Sequence, residues 1–472
     1  MLIKYPHIMH RSLLFILILT AAAAFQPAEV DAQRRGDTYQ SLLIRTDQPA
    51  SYLDHFIAPA GEAGQAVTLT FRLDYDFIPF LKVRPDMTPP DSDAEYFAPL
   101  RMGVEIFEGE APESRRSRTG ALSVHRDAWQ DTVWVNSYEE TKSRSDYTQG
   151  FLTAELAPGT YHYELQLSRA GSTREIPSVR RTFIVPEPAD SSAASFLLLQ
   201  DGSVDEGFFT GTLLNYGSNV LYGQDYAMLI RLPDLTEESA DYTLTVEQLA
   251  AGQTEGGREV LALELDENQK LHLSSIRTER DNGLLQIRSE RSETGTPYAL
   301  VQVPNGDYEN ARFLIQLHRV GEEEPVGRRV VNSQWLDMPT SLYNIDVAVD
   351  MLRFILAENE RRELASGSAA DKERKFRQFW AERDPTPETE FNELMAEYYR
   401  RIDYAYKNFS SLQVPGYDTD QGQTYILYGP PLSVERRLPP NSPAREVWEY
   451  PGRTLIFEAT TGFGDFKLIS DS

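Results

Sequence analysis

The chain has 472 residues, with 46 basic and 72 acidic side chains, a formal net charge of −26 and no cysteine. That charge repels phosphate backbones and anionic lipid, which argues against nucleic-acid and membrane-surface binding. The missing thiol excludes disulfides, lipid attachment at cysteine, thiol catalysis and zinc–thiolate sites, so ordinary packing must hold about three domains of usual size.

The first 32 residues read as a signal peptide. Lys4, His7, His10 and Arg11 make a basic start, Leu13 to Phe25 is a short apolar run, and Val30-Asp31-Ala32 supplies small residues for cleavage after Ala32. The expected product is periplasmic or extracellular. No other segment approaches the roughly 20 apolar residues a spanning helix needs, so no membrane insertion is expected after cleavage. A retained anchor over Leu13 to Phe25 is the alternative.

From Ala66 to Phe77, Val67, Leu69, Phe71, Leu73, Tyr75 and Phe77 alternate with Thr68, Thr70, Arg72, Asp74 and Asp76. Period two predicts a half-buried strand. The alternation recurs at Tyr161 to Leu167, Tyr242 to Val246 and Phe313 to Leu317, where His162 and His318 fall on the polar side and read as solvated.

Pro158-Gly-Thr-Tyr161 and Asn305-Gly-Asp-Tyr308 each precede such a strand, a pattern similar to the tyrosine corner of immunoglobulin-like sandwiches. The predicted fold is therefore multidomain and mainly β. Two tandem immunoglobulin-like β-sandwiches occupy 38–186 and 195–336, joined by a Pro- and Ser-containing linker at 187–194. A helical connector spans 337–375, and a C-terminal α+β domain spans 376–472.

In the connector, Val347, Met351, Phe354 and Ile355 share one helical face, and Phe376, Phe379 and Trp380 mark a second helix. A third helix is expected to start at Thr386 as its cap, with Pro387 in its first position. Its apolar stripe is Phe391, Met395, Tyr398, Ile402, Ala405 and Phe409. Beyond Gly422 the reading gives strands at Thr424 to Tyr428, Glu446 to Tyr450, Arg453 to Ala459 and Phe466 to Ile469, an antiparallel meander under that helix.

From about Phe376 to Ile469 the chain resembles the GWxTD domain, a bacterial family without an assigned activity. The resemblance rests on Phe379-Trp-Ala-Glu-Arg-Asp-Pro-Thr-Pro387, Asn392-Glu393, Glu397-Tyr-Tyr-Arg-Arg401, Gly416-Tyr-Asp-Thr-Asp420, Tyr428-Gly-Pro-Pro431, Trp448-Glu-Tyr450 and Gly462-Phe-Gly-Asp465. Tyr417 stands where the family name has tryptophan. The positions singled out as framework or recognition residues are Arg383, Asp384, Asn392, Glu393, Tyr398, Arg401, Gly416, Tyr417, Thr419, Asp420, Gly422, Tyr428, Gly429, Pro431, Trp448, Tyr450, Gly462 and Gly464.

The loop Val414-Pro-Gly-Tyr-Asp-Thr-Asp-Gln-Gly422 invites three chemical readings. A calcium loop would need a bidentate Glu at its twelfth position, which is Gly429. A Thr419 nucleophile would need a base, yet His55, His125, His162, His272 and His318 all precede the terminal domain. A carboxylate pair, Asp420 with Glu393 or with Asp384, stays open as a hydrolase.

The preferred reading is turn chemistry. Gly416 takes positive φ, Asp418 and Thr419 bond nearby backbone N–H groups, Tyr417 is buried on the helix stripe, and Asp420 accepts amides or meets Arg383 or Arg401. A peptide-binding loop is a further option. No catalytic or metal residue and no cofactor is assigned. The favoured function is an exported, non-enzymatic interaction or scaffold protein whose partner is an envelope or extracellular protein. Its oligomeric state is not readable.

Overall fold

The structure, a computed structural model, describes residues 38–45, 50–60, 64–90, 92–112, 121–169, 179–187, 194–233, 241–250, 252–411, 413–438, 442–460 and 466–471. The expected signal peptide, most of the linker, Gly462 and Gly464 lie outside them. The fold is mainly β, in sheets that are antiparallel except for one short parallel pair, with its helices concentrated toward the C-terminus. The chain divides into two compact units, Asp47–Met338 with Phe379–Glu397, and Met1–Thr46 with Pro339–Gln378 and Tyr398–Ser472.

The first unit opens with β1 (Ser51–Ala60), β2 (Gly64–Asp74), β3 (Leu81–Lys82), β4 (Tyr96–Glu108), β5 (Ser123–Val135), β6 (Tyr147–Leu156), β7 (Gly159–Arg169) and β8 (Val179–Val185). One sheet is β1-β2-β6; the other runs β3-β4-β7-β8, with β5 also on β4. Val67, Leu69, Phe71 and Leu73 of β2 meet Met102, Val104 and Ile106 of β4 and Tyr163 of β7 in one core.

The predicted half-burial of β2 needs correcting, because Thr68, Thr70, Arg72 and Asp74 on its other face are buried too. Thr68 lies opposite Phe56 of β1, and Thr70 opposite Phe151 of β6. Both of those rings pack onto a second apolar cluster that includes Leu199, Phe209 and Leu229. A second sandwich therefore covers the polar face of β2.

That sandwich comprises β9 (Ser195–Asp205), β10 (Phe208–Leu213), β11 (Asn219–Leu221), β12 (Tyr226–Arg231), β13 (Tyr242–Leu249) and β14 (Arg258–Glu264). It continues with β15 (Lys270–Leu273), β16 (Arg277–Asp281), β17 (Leu284–Glu290), β18 (Thr296–Val303), β19 (Arg312–Arg319) and β20 (Pro325–Gln334). Its sheets run β15-β18-β12-β9-β10-β17-β16 and β11-β20-β19-β13-β14. All six residues of β12 are buried. A continuous apolar run of this kind signals a strand covered on both faces.

The two Gly-x-Tyr turns differ. The Tyr161 hydroxyl donates to the Ala157 carbonyl at 3.0 Å, the bond of a tyrosine corner. The Tyr308 hydroxyl is buried with no partner among the described residues. In its place Asn305 Nδ2 ties the turn down, donating to the carbonyls of Leu221 at 2.8 Å and Gln224 at 3.1 Å. His162 is also corrected: it is buried, stacked on Phe107, with Nδ1 2.8 Å from the Gly109 carbonyl oxygen.

The second unit holds α1 (Tyr39–Arg45), α2 (Ile345–Met351), α3 (Glu358–Leu364) and α6 (Asp420–Tyr428), with turns of α4 (Ala369–Ala381) and α5 (Glu393–Phe409). Residues 38–45, read from sequence as the start of the first sandwich, belong here. A four-stranded meander follows, β21 (Ser433–Arg437), β22 (Arg445–Tyr450), β23 (Arg453–Ala459) and β24 (Phe466–Asp471), paired in that order. Trp448, Leu455, Phe457 and Phe466 form its core, against which Phe409 of α5 and Tyr425 of α6 pack.

Two expectations fail in this region. Thr424 to Tyr428 is helix, since Thr419 caps α6 by accepting from Gly422 N. Helix α5 starts seven residues after Thr386, because Asn392 Oδ1 accepts from Met395 N at 2.7 Å while its Nδ2 donates to the Trp380 carbonyl. Among the described residues no helix is long and apolar enough to cross a membrane.

Candidate functional site

The Gly-Tyr-Asp-Thr-Asp segment folds against α5 through contacts that only glycine permits. Gly416 does not adopt positive φ, contrary to the turn expected from sequence. Its constraint is space: a Cβ there would lie 1.9 Å from the Ala405 carbonyl oxygen of α5. A Cβ on Gly422 would lie 1.8 Å from the Gly416 carbonyl oxygen. Thr419 Oγ1 locks the stack, donating to Gly416 O at 2.8 Å and accepting from Gly422 N at 3.0 Å. Gly416 N donates to Ser410 Oγ at 2.8 Å.

Tyr417 is 7% exposed and sits among rings. Tyr39 of α1 meets it edge-on at 5.2 Å, Tyr406 stacks at 5.9 Å, and the Arg353 guanidinium lies 5.3 Å over its face. Arg353 also donates to Asp418 at 2.8 Å and to Asp350 at 2.6 Å. Asp418 thus meets a guanidinium where nearby backbone amides were expected. Burial pushes the Tyr417 phenol up, and the Asp418 charge adds to that while Arg353 opposes it.

Behind Tyr417 lies a carboxylate that the sequence reading missed. Asp403 accepts from the Tyr39 hydroxyl at 2.7 Å, from Thr340 N at 2.9 Å and from Thr340 Oγ1 at 3.2 Å. Burial holds its carboxyl above the usual carboxylate range, and the bonds from Thr340 and Tyr39 pull the other way. Its signal was an acid inside the stripe Tyr399, Ile402, Asp403, Tyr406, at helical spacing. Tyr398 and Tyr399 anchor that stripe by donating to the carbonyls of Met351 and Ala348, both at 2.7 Å.

Asp420 reaches the meander, and neither Arg383 nor Arg401 is its partner. Its Oδ2 accepts from Leu468 N of β24 at 2.8 Å, and Lys467 Nζ lies 3.3 Å from Oδ1. Gly429, at φ +77°, closes α6, with the Arg401 guanidinium 3.0 Å from where a Cβ would stand. Tyr450 donates to the Gly429 carbonyl at 2.9 Å. Tyr428 is exposed beside Tyr450 under Arg453, Pro431 is half-buried, and Trp448 is buried against Phe457.

The remaining motif residues cluster around the turn before α5. Arg383 donates to the Phe379 carbonyl at 2.7 Å and stacks over its ring at 3.9 Å. Asp384 accepts from Thr386 N at 3.0 Å, and Glu393 accepts from the Thr386 hydroxyl. Asp384, Glu393, Asp418 and Asp420 therefore each already hold a defined donor. Among the described residues no group of three or more His, Asp or Glu is arranged to hold a metal ion.

The outermost strand, β21, was not foreseen, and all five of its residues are exposed. Leu432 and Leu438, which flank it, are each 73% exposed, and Val434 is 52% exposed. Among the described residues no backbone hydrogen bond meets its outer edge.

Residues 326–464 match the family model of the GWxTD domain. No curated protein matches the chain.

Proposed function

We propose that this chain, whose residues 326–464 match the GWxTD family model, is an exported, non-enzymatic interaction protein acting in the cell envelope or outside the cell. Its β-sandwiches carry a terminal domain that binds an extended segment of a partner protein by strand addition along β21. The carrying observation is that strand: an edge whose outer main-chain groups take no backbone hydrogen bond among the described residues, with Val434 exposed and Leu432 and Leu438 beside it. Natural edges are blunted by charged side chains, lysine above all, by proline or by a covering element. β21 carries Glu435, Arg436 and Arg437 but no lysine or proline, and strand addition draws affinity from a row of N–H and C=O groups.

A carboxylate-dependent hydrolase of an envelope polymer is the competing reading, and the engagement of Asp384, Glu393, Asp418 and Asp420 weighs against it. The test captures partners from the native envelope fraction with the wild-type chain and with Val434→Lys/Leu438→Lys. A specific partner lost in the variant, with an unchanged melt, is the expected result. Turnover of an envelope polymer that Asp420→Asn abolishes, while melt and capture stay unchanged, would put the hydrolase in its place.

A further inference from the structure

In the sandwich unit two cavities, of about 270 Å³ and about 120 Å³, share Arg72 in their walls. Arg72 stands on β2 and is 5% exposed. Its guanidinium is clamped between two rings, 3.3 Å from the centroid of Tyr147 and 4.0 Å from that of Tyr216. Among the described residues it makes one hydrogen bond, a long one from Nε to Asp74 Oδ1 at 3.4 Å, and none from its two terminal amino groups.

A guanidinium carries five N–H donors in one planar fork. A purely structural ion pair would turn the fork of Arg72 toward Asp74. Here only the single Nε–H does so, while the tyrosine clamp fixes the plane of the fork. A fixed planar fork is the arrangement that takes a carboxylate through two parallel bonds. The larger cavity supplies what the body of such a ligand would need. Tyr52, Tyr222 and Trp335 line it as aromatic walls and Gln224 and Gln334 as amides, while Arg144 joins Arg72 there and offsets the carboxylates of Asp74 and Asp337. The Trp335 Nε1–H is buried with no partner among the described residues.

We propose that this cavity binds a small organic carboxylate carrying a ring-sized body, held by the free end of Arg72 and lying along Tyr222 and Trp335. The carboxylate could belong to an acidic sugar or to an amino-acid chain end, and the two sources share the chemistry that Arg72 reads. Nothing in this inference depends on the role proposed for β21.

Titration calorimetry on the purified chain tests it with four probes: D-glucuronate, its neutral counterpart D-glucose, N-acetyl-L-phenylalanine, and the amide of that acid. One carboxylate should bind at a single site and its neutral counterpart should not, which also decides the source. Arg72→Lys keeps the charge but loses the fork, and should weaken binding by about tenfold or more. Because Arg72→Lys can also fail to fold, Trp335→Phe gives a second reading: the ligand-induced change in tryptophan fluorescence should vanish. The inference is overturned if neither carboxylate binds the wild-type chain, if the neutral probes bind equally well, if a folded Arg72→Lys binds as the wild type does, or if Trp335→Phe keeps the fluorescence change.

Discussion

The two edges of the terminal sheet are treated in opposite ways. At β24 the Leu468 N–H, which points away from β23, is taken by the Asp420 carboxylate at the head of α6. At β21 the outer main-chain row meets no described residue, and Leu432, Val434 and Leu438 are exposed around it. An unpaired edge is a template for another strand. Engaging one N–H of β24 with a motif residue, while no backbone hydrogen bond among the described residues meets the outer row of β21, favours β21 as the edge to which a partner strand adds. On this account the motif works as framework, and its product is the asymmetry of the sheet.

The comparison breaks most completely if the stack that positions Asp420 is pried apart. Gly416→Ala and Gly422→Ala each drive a methyl into a backbone carbonyl, and each should destabilise the terminal unit by about 3 kcal/mol or more in denaturant melts. Tyr417→Ala empties a buried ring site and should cost about 3 to 5 kcal/mol, whereas Tyr417→Trp should melt near the wild type. Tyr39→Phe removes one of three donors from Asp403 and should cost about 1 to 3 kcal/mol. Tyr39→Phe also tests whether α1 is part of this unit, because a melt unchanged from wild type would show that the unit does not need it.

Smaller effects sharpen the contrast. Asp420→Ala frees the Leu468 N–H at a half-exposed position, so the expected cost is about 1 kcal/mol. Its informative consequence is a second open edge, read as concentration-dependent self-association in sedimentation. Val434→Lys should change stability by less than about 0.5 kcal/mol, since the side chain is exposed. It should nevertheless remove partner capture.

Much of this was legible in local pattern. The strands β22, β23 and β24 lie within two residues of their expected bounds, and the stripe from Met395 to Phe409 falls on α5 while Phe391 precedes it. Two competing local signals caused the helix errors. Thr386-Pro387 and Asn392-Glu393 both look like helix starts, and Asn392 prevails because its side chain satisfies Met395 N and the Trp380 carbonyl together. In α6, Thr424, Ile426 and Tyr428 alternate like a strand, yet the Thr419 cap and the close approach of Gly422 to Gly416 fix a helix.

What stayed hidden is non-local. Tyr39 meets Asp403 across 364 positions of chain. The polar face of β2, with Arg72 in it, is buried by a sandwich far along the sequence. In both cases period and composition name the element but not what covers it. The two Gly-x-Tyr turns make the same point, since only the bond of Tyr161 to Ala157 turns that resemblance into a corner.

The central claim is tested most directly by placing a photo-crosslinking residue at Val434 of β21 or at Ile469 of β24, two exposed positions on opposite edges of one sheet. Each variant is expressed in the native cell and irradiated. The account predicts a discrete protein adduct from position 434 and none from 469. Adducts from 469 with none from 434 would contradict it.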